Sequence, residues 1–203
     1  MPNSNRPSGF SPAQYLNGAP WNGQARLYSI AAAYAASALA IGDPVISSGS
    51  ADVNGVPGIV IGAATGALRG VIVGLGSNEG VIANINNPNS IIRPAAAQIT
   101  DWYAMVVDDP NVLFEIQEAA GTVQIAATEV GLNTQAVAGA NSGYLSGWQL
   151  QSVTGFTPVV TATIQLRLMG LVRKIGNGFG AYAKQLVKIN VHELGTGTGA
   201  LGV

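Results

Sequence analysis

Short apolar runs separated by turn residues make up most of the chain, at 59–63, 68–75, 102–107, 112–117, 123–127, 148–153, 159–169 and 186–191. Several alternate apolar and polar side chains, which is the period of a strand with one buried face. In Thr161-Ala162-Thr163-Ile164-Gln165-Leu166-Arg167-Leu168 the polar residues take the odd positions. In Val187-Lys188-Ile189-Asn190-Val191 the apolar residues take every second place. The 27 glycines and 10 prolines supply the breaks. No long amphipathic helix competes, and no internal repeat of fixed period stands out. The pattern predicts an all-β, mainly antiparallel fold: a β-sandwich, jelly-roll or barrel-like domain.

Two stretches depart from this rhythm. Leu27, Ile30, Tyr34, Ala38 and Ile41 sit at helical spacing, but Gly42-Asp43-Pro44-Val45 is a turn that launches a strand. The expectation is a strand near 26–31, an irregular or short helical middle, and a strand from Pro44 to Ser48. Residues 1–24 contain Pro2, Pro7, Pro12 and Pro20 among Asn, Ser and Gly. Proline lacks an amide donor and fixes φ, so this segment is expected to be an extended arm in which no sheet ladder propagates. Phe10, Tyr15, Leu16 and Trp21 are large apolar groups spaced along it. They are the interface candidates, lying either on the arm's own domain or on a neighbour. Removing such an arm is expected to weaken attachment and leave the β fold intact. Residues 25–203 then form the β-rich domain, with a division into two small subdomains near residue 100 left open.

Composition changes the picture in one respect. Hydrophobic residues make up 48% of the chain, enough for a core, but only 9% are charged, against about 25% in an average soluble protein. A surface of uncharged polar groups suits a chain packed against partners; a monomer with the same surface is the alternative. The net charge is −1, so no global field draws nucleic acid, and none is expected as a partner. The charges are sorted: nine of ten acids lie between Asp43 and Glu129, and five of nine basic residues between 130 and 192. They can pair between subunits or within one. Leu27 to Gly42 is uncharged but spans 16 residues, short of the roughly 20 that cross a bilayer. The polar start, Met1 to Ser8, does not read as a signal peptide. No membrane association is expected.

Candidate chemistry is sparse. The chain has no cysteine and one histidine, which excludes thiolate chemistry and sites needing two imidazoles. His192 ends an alternating strand and reads as a surface or strand-end residue. Asp108 and Asp109 are the densest acidic pair, but Asp108-Asp109-Pro110-Asn111 fits a turn better than a paired-carboxylate or cation site. Gly74 to Gly80 and Gly176 to Gly180 lack phosphate-loop spacing and read as loops. Arg167, Arg173, Lys174, Lys184 and Lys188, with Phe179 and Tyr182 nearby, make too weak a funnel for single-stranded nucleic acid. No catalytic, cofactor or metal residue is expected, nor an enzyme.

Certain strings resemble a known group. Asp108-Asp109-Pro110-Asn111-Val112-Leu113-Phe114-Glu115-Ile116-Gln117 is similar to a "DDP…FE-x-Q" segment of tailed-bacteriophage capsid decoration, or cement, proteins. So are Gln165-Leu166-Arg167-Leu168-Met169-Gly170-Leu171-Val172, then Asn177-Gly178-Phe179-Gly180 and Val187-Lys188-Ile189-Asn190-Val191-His192. Leu27-Tyr28-Ser29-Ile30-Ala31 and Gly42-Asp43-Pro44-Val45 match earlier and in order. The resemblance runs from about Arg26 to His192 and leaves out the first 24 residues; 77–100 looks shortened or divergent. It implies a small β protein on the outer surface of a virion, bound to the major capsid protein and to itself as a trimer, stabilising the shell by bridging capsid subunits. Other head-fibre, neck or tail components are an alternative. So is a carbohydrate-binding β-sandwich in which Trp102, Tyr103, Tyr144 and Trp148 would stack on sugars.

Overall fold

The computed structural model describes residues 3–77, 92–121, 123–141, 145–151, 156–195 and 199–202. Among them are β1 (Ser11–Tyr15), β2 (Arg26–Ile30), β3 (Leu39–Ala40), β4 (Pro44–Ala51), β5 (Pro57–Ile61), β6 (Gly70–Ser77) and β7 (Ile92–Arg93). The second half adds β8 (Trp102–Val107), β9 (Val112–Gln117), β10 (Asn133–Thr134), β11 (Ala136–Val137), β12 (Gln149–Leu150), β13 (Leu166–Leu171) and β14 (Lys184–Ile189). The fold is all-β and its sheets are mainly antiparallel. No helix among the described residues is long and apolar enough to cross a membrane.

Five strands hydrogen-bond in a closed ring, β2-β5-β4-β6-β8. Only β2 and β5 run parallel there, meeting at Ser29 and Gly58. The ring encloses Tyr28, Ile30, Val45, Ile59, Ile72, Leu75, Ala104 and Val106, all buried. The other five form an antiparallel sheet, β1-β9-β14-β13-β10. Its inner face carries Phe114, Ile116, Leu166, Leu168, Val187 and Ile189 at every second position. These pack with Leu68, Val71 and Val107 from the ring side and with Phe10 and Trp148 in one cluster. Ring and sheet therefore share a core.

The segment expected to be an extended arm without a sheet ladder instead contributes a strand to this sheet. β1 pairs with β9, Ser11 facing Glu115 and Tyr15 facing Val112. Proline is tolerated because β1 is an edge strand and Pro12 sits at a shift in register. The outer edge is covered by the chain's own return: Tyr15 N donates to Ala19 O (2.8 Å) and Trp21 N to Ala13 O (3.1 Å). Just before β1, Gly9 and Gly42 lie against each other at φ of 65° and 93°. A Cβ on either would come under 3.0 Å from backbone oxygen of the other segment. That close approach lets Phe10 N donate to Gly42 O at 2.9 Å and seats the Phe10 ring in the core.

Other runs are shorter than their alternation suggests. Residues 123–127 form no strand, and a 3-10 turn spans Ala127–Glu129. Their amides are taken by carboxylates: Ile125 N donates to Glu118 Oε1 and Ala126 N to Glu129 Oε2. Residues 161–164 precede β13 as loop because the side-chain amides of Asn133 and Asn190 donate to the carbonyls of Thr161, Ala162 and Ile164. Such side-chain bonds compete with a ladder. In the 148–153 run, Gln149–Leu150 is strand; residues 152–153 lie outside the described residues, as do 78–80 of the first glycine loop.

Candidate functional site

The interface candidates are largely turned inward. Phe10 is 2% exposed and meets Phe114 edge-on, ring centroids 6.2 Å apart at 86°. Tyr15 and Trp21 are half-buried against the same cluster. The Tyr15 hydroxyl donates to Asn22 Oδ1 (2.7 Å) and Trp21 Nε1 to Gln24 O (3.2 Å). Leu16 alone of the four is exposed, at 47%. Tyr103 and Trp148 are likewise buried, at 3% and 4%, and offer no open stacking platform. Trp102 is half-buried, and Tyr144 lies outside the described residues.

The acidic string is the crossing from ring to sheet. Asp109 Oδ1 accepts from Asn111 N (2.8 Å), and Val112 N donates to Asp109 O (3.1 Å). The two neighbouring carboxylates part company there. Asp108 is buried and accepts from the Tyr28 hydroxyl at 2.7 Å, with Arg26 at 3.5 Å. Burial, then the bond to Asp108, pushes the Tyr28 phenol up to about 12. Arg69 lies over the Tyr28 ring, 5.7 Å from its centroid, and pairs with Glu193 at 3.6 Å. Glu193 in turn accepts from Ser47 N and Oγ. Between the acidic and basic stretches the one ion pair among the described residues is Lys174–Glu115.

His192 lies in this joint, at the end of the sequence's last alternating run as expected, but buried rather than on the surface, with 4% exposure. It bridges to Leu68 in parallel, tying the exit of β14 to the ring. Nδ1 accepts from Leu194 N at 3.0 Å, which puts the neutral ring's proton on Nε2. Nε2 has no partner among the described residues. Burial pushes the imidazole down to about 4, so it is neutral at pH 7. Through the bridge to Leu68 and the bond from Leu194 N it braces the joint. No group of three or more His, Cys, Asp or Glu among the described residues could hold a metal ion.

Three buried polar residues carry no sequence signature. Arg93 is wholly buried; its guanidinium donates to the carbonyls of Ala31, Ala32, Tyr34 and Pro94 and lies over the Tyr34 ring at 5.1 Å. Glu118, also wholly buried, is pushed up to about 7 by burial, against the bond from Ile125 N and the nearby Gln185 amide. Asp43 is pushed up to about 6 by burial, with hydrogen bonds from Ser146, Ala40 N and Asn141 opposing. Asp43 lines an open cavity of about 480 Å³ with Asn141, Ile61 and Trp148.

The basic residues converge. Register places Arg167 directly opposite Lys188, Leu186 opposite Glu115 and Lys184 opposite Gln117, all on the outer face of the five-stranded sheet. The β13–β14 connection adds Arg173 and Lys174; Lys174 Nζ meets Glu115 Oε2 at 2.8 Å. A groove of about 770 Å³ runs here, lined by Glu115, Met169, Arg173, Lys174, Phe179 and Leu186 among others. The glycine string at 176–180 is loop, as expected; Asn177 holds it by donating to Val172 O and Lys184 O and accepting from Lys184 N. No family model matches this chain, and neither the curated proteins nor the solved structures contain a match to it.

Proposed function

We propose that this chain is a structural virion protein of the phage decoration type, which binds the outer surface of a capsid and stabilises the shell by bridging neighbouring capsid subunits. The observation that carries the proposal is the placement of the strings that resemble that group. They are far apart in sequence, yet they fall on β9, β13 and β14, three adjacent strands of one sheet. The earlier matching strings fall on β2 and on the turn into β4, in the ring. Strings that recur together and build one contiguous piece of fold support common architecture rather than chance likeness. We take the ring and sheet together as the barrel-like form of the expected domain.

The role requires surface complementarity, with no reaction and no cofactor. A bridging protein adds interface that must break before the shell opens. Binding only the mature lattice stabilises that state by mass action, and engaging several subunits at once raises effective affinity. Self-association as a trimer belongs to the same proposal. The test is the copy number of this chain relative to the major capsid protein in purified particles. A simple lattice fraction supports decoration. A handful of copies per particle assigns it to the neck, tail or a fibre, and absence from particles refutes a virion role.

A further inference from the structure

We infer that the outer face of the five-stranded sheet is the docking face, and that what it docks on is an acidic protein surface. The inference takes the virion role as given and names the chemistry of the partner. The chain as a whole has a net charge of −1, yet this face concentrates Arg167, Arg173, Lys174, Lys184 and Lys188 around one carboxylate, Glu115. Lys174 neutralises Glu115. The other four cations form no ion pair among the described residues.

The arrangement also works against the isolated fold. Arg167 and Lys188 are direct cross-strand neighbours, and like charges placed opposite each other destabilise a sheet. Arg167 Nε is buried with no hydrogen-bond partner among the described residues. A carboxylate from outside would relieve the repulsion between the two cations. Elsewhere among the described residues Arg26 pairs with Asp108 and Arg69 with Glu193. The remaining two cations also lack an ion pair: Arg93 is spent on buried backbone carbonyls, and Arg6 lies beside Gln117, bonded through its backbone N.

A protein surface suits the face better than nucleic acid. Between the cations lie Met169 and Leu186, with Val130 and Phe179 exposed at 36% and 41% beside the groove. Those apolar groups match a protein surface of mixed character, whereas a phosphate backbone would leave them uncovered. With an overall charge near zero, the patch field fades within the ~8 Å screening length of physiological salt. Attraction then depends on close, shaped contact.

The experiment strips particles of this protein and rebinds wild type, the double variant Arg167→Gln/Lys188→Gln, and Val53→Ser, at several salt concentrations. Val53 is 98% exposed on the turn after β4, away from the sheet face, and serves as control. The double variant is expected to keep or raise its melting temperature, to bind about tenfold more weakly at low salt, and to lose part of the salt dependence. Undiminished binding by the double variant overturns the inference, and so does an equal loss in Val53→Ser. A second measurement stands apart from the virion role: fluorescence anisotropy with an oligo-glutamate peptide and with single-stranded DNA of equal charge. Peptide binding that is lost in the double variant supports the acidic-protein partner even if particles lack the chain. No peptide binding by wild type at low salt, or DNA preferred about tenfold, overturns it.

Discussion

Replacing Phe10 with alanine tests whether the N-terminal segment belongs to the core. The ring is 2% exposed, and it sits among Phe114, Val112, Leu168 and other buried side chains. Phe→Ala in a core costs about 3–5 kcal/mol through lost transfer energy and the cavity left behind. Part of that is the edge-on contact with Phe114, at 6.2 Å, a geometry good for ~0.5–1.5 kcal/mol. In a chain of this size 1 kcal/mol moves the melting temperature by about 2–4 °C, so a fall of about 6–20 °C is expected. Urea unfolding followed by tryptophan fluorescence and a thermal scan would measure both quantities. Leu16→Ala, six residues away and 47% exposed, should change stability by no more than ~0.5 kcal/mol. A loss below ~1 kcal/mol for Phe10→Ala would refute the placement of this ring in the core. It follows that removing residues 1–24 is no clean assay of attachment. The truncation strips β9 of a partner strand and empties part of the core, so attachment and folding fail together.

Burial pushes Glu118 up to about 7 in the folded chain, from the ordinary 4.5. The folded state therefore holds this proton more tightly than the unfolded state. Its contribution to stability is full below the unfolded value and is lost as pH rises through about 7. Glu118→Gln, which keeps an acceptor for Ile125 N, should flatten the melting temperature between pH 5 and 8; an unchanged slope would reject the assignment. His192 acts in the opposite sense, since its folded value of about 4 lies below the ordinary 6.5. Stability is lost as pH falls between them, and His192→Gln should remove that acid-side loss in the same scan. Arg93→Lys should cost about 2–3 kcal/mol in urea unfolding, because one ammonium cannot serve carbonyls arranged for a planar fork; a loss within ~0.5 kcal/mol would show the fork is not needed. Gly42→Ala should destabilise by about 1 kcal/mol from its positive φ alone, and more from the crowding against Ser8 O. A melting temperature equal to wild type would mean the Gly9–Gly42 contact is loose.

Strands β8 and β9 coincide with their apolar runs because Val107 and Val112 flank a turn whose Asp, Pro and Asn each have local reasons to be there. The same string concealed its larger role, since turn chemistry fixes a reversal but not which layer the next strand joins. Runs at 123–127 and 161–164 misled because the amides and carbonyls there are satisfied by Glu118, Glu129, Asn133 and Asn190, partners distant or polar enough to leave no periodic trace. Prolines hid β1, which tolerates them as an edge. The basic residues were visible as a run along the chain, but only the β13–β14 register brings Arg167 against Lys188. Arg93, Asp43 and Glu118 were out of reach, because a buried charge is defined by what encloses it.

The strand order has a consequence for how the chain is made. The ring draws on residues 26–107 and can close once that stretch has emerged. The sheet cannot: β14, the last of these strands to be made, is inserted between β9 and β13, and β9 alone holds β1. Until residue 189 is available, the inner faces of β9 and β13 and the Phe10 ring wait without their central neighbour. Loop closure over such separations is slow relative to local pairing, and the waiting apolar strands are exposed to other chains in the meantime. A ribosome that stalls before β14 therefore releases a closed ring carrying an unfinished, adhesive sheet.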